Sequence, residues 1–327
     1  MNKFKRFSIP ASYLIVIAAI LWAVDGIWRR HLFTLDPGII VFYEHFLGAL
    51  VILPFTLPWI LNKKDQLNRN EWIALIAVSI LSSLFGTLMF TKALQMINFI
   101  PFSVVMLLQK LQPLFAIAAA SIILKERLTR SYLIWAGVAL VAAYFVTFPE
   151  CLTALSAGHP QFPACFVALG ENHQTLYAAL LAIGAAAAWG TGTALSRYSL
   201  IRHNPVHITG LRFWLVSGMT LIYLLIFQKA GQLGAPDMTQ IGYLLTITFT
   251  TGLVALLLYY HGLKHVQAKY STILELAFPG TAIFIDIFLY HTVLHWTQYA
   301  AAGILICAII MISRLSQDKA QNKLEED

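Results

Sequence analysis

The sequence predicts an all-α integral membrane protein of ten transmembrane helices, arranged as two inverted five-helix repeats. Three observations carry that expectation. Hydrophobic residues fill 59% of the 327 positions and charged residues only 11%, a balance that soluble domains do not reach. Ten stretches each approach the roughly 20 apolar residues that cross a bilayer as a helix. The chain also resembles itself at an offset of about 167 residues, which is Trp189 minus Trp22.

The ten spans are expected at 12–33, 38–61, 72–95, 100–124, 131–148, 175–199, 206–228, 239–263, 270–290 and 297–315, with short polar punctuation between them. The first has no small-residue cleavage site at a sensible distance, so it reads as a retained membrane anchor. Basic residues set the orientation, because positively charged short loops stay in the cytoplasm. One side takes Lys3, Lys5 and Arg6, then Lys63, Lys64 and Arg69, then Lys125, Arg127 and Arg130, then Arg197 and Arg202, Lys264 and Lys269, and Arg314, Lys319 and Lys323. The other takes Arg29, Arg30, Lys92 and Lys229; Lys110 and Arg212 fall inside spans. Both termini are therefore expected in the cytoplasm, in a multi-pass protein of the cytoplasmic (inner) membrane. Insertion topology explains the net charge of +7, and no soluble domain exists to carry a nucleic-acid face.

The chain divides into a first repeat, 1–148, an external loop, 149–174, a second repeat, 175–315, and a cytoplasmic tail, 316–327. The loop has no Lys or Arg and holds Cys151 and Cys165. These are disulfide candidates in an oxidising compartment, with two free thiols as the alternative. Cys307, within span ten, reads as a small buried apolar residue.

The offset lays ILWAVDGIWRR over AAWGTGTALSR, pairing Trp22 with Trp189 and Arg30 with Arg197, and it also pairs His45 with Arg212 and Phe46 with Phe213. Moving the offset by one residue pairs Pro113 with Pro279, Leu128 with Leu294 and Gly137 with Gly303. Five is odd, so the second copy enters the membrane upside down relative to the first. Inverted repeats are a transporter architecture, with the solute site near the midplane where the halves meet.

Trp22 and Trp189, Pro113 and Pro279, the turn Lys125-Glu126-Arg127-Leu128, and Gly137 and Gly303 together resemble the EamA-type repeat of the drug/metabolite transporter superfamily. The resemblance covers roughly 13–148 and 177–315, and the order and double occurrence of the motifs make it specific. There are two departures. Span one has Trp-Ala-Val-Asp where glycine usually follows the tryptophan, and the second copy has His291-Thr292-Val293-Leu294 in place of the glutamate turn. The resemblance implies movement of a small organic solute and does not name it.

Lys110 lies near the middle of span four, where an ionisable side chain costs at least ~2.5 kcal/mol and usually faces a cavity or a partner. Its neighbour Gln109 is the repeat counterpart of Glu275, and both precede a proline. Two readings follow: Lys110, Gln109 and Glu275 line a central polar cavity, or Lys110 and Glu275 form an ion pair that ties the halves together. Trp22, Trp189, Tyr43, Tyr259 and Tyr260 join the substrate-binding candidates because they sit on cavity-lining spans of the transporters this chain resembles. Asp25, Glu44, His45 and Arg212 are candidates for coupling or gating. Asp25 or Glu44 is the candidate proton carrier, while Arg212 reads as a chain snorkelling to lipid phosphates. Asp286 reads as a cap or rim residue.

Pro113 and Pro279 are expected to break spans four and nine. Gly86, Gly137, Gly190, Gly192, Gly252 and Gly303 are expected to let helices approach closely. A metal enzyme is the weakest alternative. His261/His265 and His291/His295 have helical spacing for a metal, but they fall on opposite sides of the membrane, and no catalytic or nucleotide-binding motif accompanies them. No metal or other cofactor is expected; the expected partners are a small-molecule substrate and the bilayer, and the oligomeric state stays open. The leading expectation is a secondary active transporter of a polar or zwitterionic, amino-acid-like metabolite working by alternating access. A lipid or lipid-linked sugar flippase is the alternative.

Overall fold

The computed structural model describes residues 11–62, 66–96, 98, 100–124, 129–149, 173–200, 203–263, 274–275 and 277–326. Among these residues the chain forms ten apolar helices, one short 3₁₀ turn at Ala230–Gly234, and no strand. The first four are α1 (Ala11–Arg30), α2 (Pro37–Leu61), α3 (Arg69–Val78, Ser79–Gly86 and Thr87–Gln95 end to end) and α4 (Phe102–Gln109 and Gln112–Leu124). Then come α5 (Arg130–Thr147), α6 (His173–Leu200) and α7 (Pro205–Ile226). The last are α8 (Met238–Ile247, Thr248–Val254 and Ala255–Leu263), α9 (Ala277–Phe288) and α10 (Trp296–Glu326). Eight are long and apolar enough to span a membrane, and the apolar parts of α9 and α10 are shorter. Helix α10 continues through the segment expected as a separate tail.

The repeat shows in how the helices begin. Asp36 and Asn204 cap α2 and α7, each accepting from the backbone N–H two residues on and each followed by a proline at the first helical position. Helices α3 and α8 both open on a reciprocal capping box, Asn68 with Glu71 and Asp237 with Gln240. The middle of both helices widens into π-helical turns, Ser79–Gly86 in α3 and Thr248–Val254 in α8.

Packing crosses between the repeats. Helix α1 lies on α8 and α9, α6 lies on α3 and α4, α2 pairs with α7, and α5 pairs with α10. The first helix of each copy therefore packs on the third helix of the other. The main core, with Phe102, Met106, Leu107 and Leu108 fully buried at its centre, joins α4 to α1, α5, α6, α9 and α10.

Close approach is real at some of the expected glycines and absent at others. A Cβ on Gly190 would sit 2.4 Å from the Gln112 carbonyl, on Gly86 2.7 Å from Trp189 Nε1, and on Gly192 2.5 Å from Ser82 Cβ. Gly137 and Gly303 have nothing within 4 Å and face outward, and Gly252 meets only a carbonyl of its own helix, so the close-approach expectation is corrected at these three. Gly190→Ala should therefore destabilise by about 1–3 kcal/mol, since a backbone carbonyl cannot step aside, whereas Gly303→Ala should stay within about 0.5 kcal/mol. Thermal denaturation of the two purified variants in detergent distinguishes them.

Cys307 is also corrected. It is exposed on the outer surface of α10, because its turn points away from the α5 contact. Cys151 and Cys165 lie outside the described residues. An outer groove of about 710 Å³ runs along the seam between α5 and α10, lined by Val138, Val141, Phe145, Trp296, Ala300 and Ile304 among others, and it takes in none of the candidate site residues.

Candidate functional site

Proline chemistry positions the centre of the site. Lacking an N–H, Pro113 cannot bond the carbonyl of Gln109, nor Pro279 that of Glu275, each four residues back. Helix α4 accordingly breaks at Lys110 and Leu111, where tight three-residue bonds run from Lys110 N to Leu107 O (3.0 Å) and from Leu111 N to Leu108 O (3.1 Å). Helix α9 starts just after Glu275. Irregular backbone at membrane depth is tolerated where protein or a cavity surrounds it.

The break in α4 and the start of α9 bring Lys110 and Glu275 together. Lys110 Nζ stands 3.7 Å from Glu275 Oε2 and 4.7 Å from the centre of the Phe278 ring. Tyr259 donates its hydroxyl to Glu275 Oε1 at 2.7 Å, and the Trp22 ring packs on Tyr259 with centroids 5.0 Å apart. The cluster thus draws on α1, α4, α8 and the start of α9. The Lys110–Glu275 separation is too long for a direct hydrogen bond, and the side chains keep 13% and 23% exposure. The two charges are therefore an ion pair held by attraction without a shared proton. Gln109 turns the other way, donating from Nε2 to the Ala182 carbonyl of α6 at 3.0 Å, and it is buried. The side chain of Tyr260 lies outside the described part.

A second cluster fills the space between the C-terminal end of α1 and helices α2, α3 and α8. The Arg29 guanidinium bonds Asp25 through Nε, Glu44 through Nη2 (2.7 Å) and the Thr91 hydroxyl through Nη1 (3.2 Å). Thr251 of α8 donates to the other Asp25 oxygen at 2.5 Å. Asp25 and Arg29 are buried, and Glu44 is nearly so. Sequence reasoning named the carboxylates and placed Arg29 among the basic residues that set orientation; the structure makes it the hub. Its spacing from Asp25, four residues on one helix, was the available signal. His45 points elsewhere, its Nδ1 2.8 Å from the Val41 carbonyl and its ring edge-on to Phe213.

Arg212 does not snorkel outward. It reaches inward to the hydroxyls of Ser82 (3.0 Å) and Ser83 on the π-helical segment of α3, because two buried acceptors lie within reach of its fork. Trp189 lies against Phe90, and its indole N–H donates to the Ser82 carbonyl at 2.9 Å. Asp286 caps α4 by accepting from Ser103 N at 2.7 Å, beside Arg30, whose guanidinium stacks on Tyr290. Tyr43 donates to the Leu233 carbonyl at 2.6 Å, Gln240 to Thr34 at 2.9 Å, and Lys229 pairs with Asp36. Together these bonds tie the α1–α2 connection to the α7–α8 connection. Ser82, Ser83, Thr91 and Thr251 were missed because lone hydroxyls on apolar helices carry no pattern.

Ten apolar helices in crossed repeats, with one ion pair at the break in α4 and a buried charge cluster at the end of α1, define a multi-pass membrane transporter. The chain belongs to the EamA-like transporter family, whose profile matches residues 9–148 and 176–314. It is therefore a member of the drug/metabolite transporter superfamily and not an enzyme. It is 32% identical over 326 residues to "Riboflavin transporter ImpX" of Fusobacterium nucleatum subsp. nucleatum (strain ATCC 23726 / VPI 4351), covering 94% of this chain and 99% of that one. A solved crystal structure superposes with a TM-score of 0.59 at 14% identity, covering 93% of this chain and 97% of the other, which is a likeness of fold.

Proposed function

We propose that the protein carries a ring-bearing polar metabolite of the riboflavin type across the cytoplasmic membrane by alternating access. The solute is held at Lys110, Glu275, Tyr259 and Trp22. The observation that carries this reading is the convergence of four helices from both repeats on a loose ion pair, exposed to entering solute, at the two proline breaks. An aromatic pair beside a donor and an acceptor suits a flat heterocycle with polar edges, and the relative's name supports that class. The distribution of basic residues supports cytoplasmic termini, which makes the Arg29 end the external one. There the Asp25–Arg29–Glu44 cluster serves as the gate, and the segments 1–148 and 175–315 are the units that rock.

A second reading, an amino-acid-like zwitterion, is favoured by the same pair, since opposite charges at Lys110 and Glu275 match a carboxylate and an ammonium group. The flippase reading has less support, because the lateral groove between α5 and α10 is lined almost wholly by apolar side chains and offers a polar head group nothing to bind. Thermal-shift measurements on purified protein with riboflavin, other vitamins, nucleosides and amino acids separate the readings. Stabilisation by riboflavin, and not by amino acids, is the expected result; the reverse replaces the first reading by the second. Uptake by proteoliposomes with and without an imposed pH gradient then tests proton coupling.

A further inference from the structure

The two tryptophans of the sequence repeat make the same unusual bond. Trp22 of α1 donates its indole N–H to the Thr251 carbonyl at 3.1 Å, and Trp189 of α6 donates to the Ser82 carbonyl at 2.9 Å. Both carbonyls lie inside the π-helical segments, Thr248–Val254 of α8 and Ser79–Gly86 of α3. In each case the first helix of one repeat grips the third helix of the other. A π-helical turn shifts the backbone bonds from four residues to five and recurs at functional sites, and a side chain inserted into the ladder is a recognised cause of helix bending. In hydrocarbon a backbone carbonyl must find an internal donor, and the indole N–H is one for each of these two.

The surroundings of the two bonds differ. Three residues beyond the tryptophan, α1 carries Asp25, which accepts from the Thr251 hydroxyl and continues into the Arg29–Glu44 cluster. At the matching place α6 carries Gly192, packed so closely on Ser82 that a Cβ would lie 2.5 Å from its Cβ. On α8 the charged neighbour comes from the gripping helix itself, whereas on α3 it comes from Arg212 of α7, which bonds the Ser82 and Ser83 hydroxyls.

We propose that Trp22 and Trp189 are positioning residues of the transport cycle, paired latches that hold the π-helical segments of α8 and α3 as the two hinges of alternating access. Because the repeats are inverted, the two hinges govern opposite ends of the molecule. This inference goes beyond the proposed substrate and holds for any solute.

The experiment places spin labels in pairs at Met238 and Val293 for one end and at Leu61 and Arg130 for the other, with Cys151, Cys165 and Cys307 replaced. Distances are read by double electron–electron resonance without added solute. Trp22→Phe and Trp189→Phe each remove the donor and keep an aromatic ring; 3-benzothienylalanine at either site keeps the bicyclic ring and removes only the N–H, which covers a phenylalanine variant that fails to fold. The expected result is that the two single variants shift the two distance distributions in opposite directions. The double variant returns toward wild type. Shifts in one shared direction, or unchanged distributions in both, overturn the proposal.

Discussion

Arg29→Met is expected to be the most damaging single substitution in the protein. It leaves Asp25 and Glu44 facing each other without a cation in a largely buried space. Breaking a buried ion cluster by removing one partner costs about 3–5 kcal/mol, because the remaining charges keep their desolvation penalty and lose their attraction. Loss of the Thr91 contact adds to this, and the melting temperature should fall by roughly 10 °C. The triple variant Asp25→Leu/Arg29→Met/Glu44→Leu removes every charge and should recover most of the loss, as apolar replacements of similar volume do for whole buried clusters. Thermal denaturation of wild type, Arg29→Met and the triple variant checks this. Equal melting of wild type and Arg29→Met would show that the cluster contributes nothing to stability.

Lys110→Ala is expected to have the largest effect on solute binding with a much smaller one on folding. Its partner Glu275 keeps the Tyr259 hydroxyl and its own exposure, so the carboxylate left behind is still solvated. A hydrogen bond to a charged group contributes about 1.5–3 kcal/mol, so affinity should weaken by a factor of roughly ten to a hundred. Glu275→Gln keeps the shape and removes the charge; a comparable loss there would assign the pair as a unit. A Lys110→Ala protein that melts far lower and binds solute unchanged would make Lys110 a tie between the halves and move the site elsewhere.

The helices were legible because hydrophobic length and basic punctuation are local signals, and the repeat was legible because Trp22, Pro113 and Gly137 each recur once at matching places. The Lys110–Glu275 meeting was legible for the same reason: the repeat put Gln109 over Glu275, and the prolines marked where the backbone must open. The helical face was not legible, since composition cannot say which side of an apolar helix meets protein. That is why Cys307, Gly137 and Gly303 were expected inside and lie outside, and why Arg212 was expected at the lipid and turns inward. The role of Arg29 escaped for a related reason: the same residue type at a helix end either meets phosphates or pairs internally, and only the placement of Glu44, Thr91 and Thr251 decides.

The central claim is that solute binds at the cluster around Lys110 and Glu275. Riboflavin fluorescence gives the most direct measurement, titrated against purified wild type, Lys110→Ala and Glu275→Gln. Saturable quenching by wild type, weakened at least tenfold in both variants while each still melts cooperatively, is the predicted result. Equal affinity in all three proteins, or no saturable quenching by wild type, would contradict it.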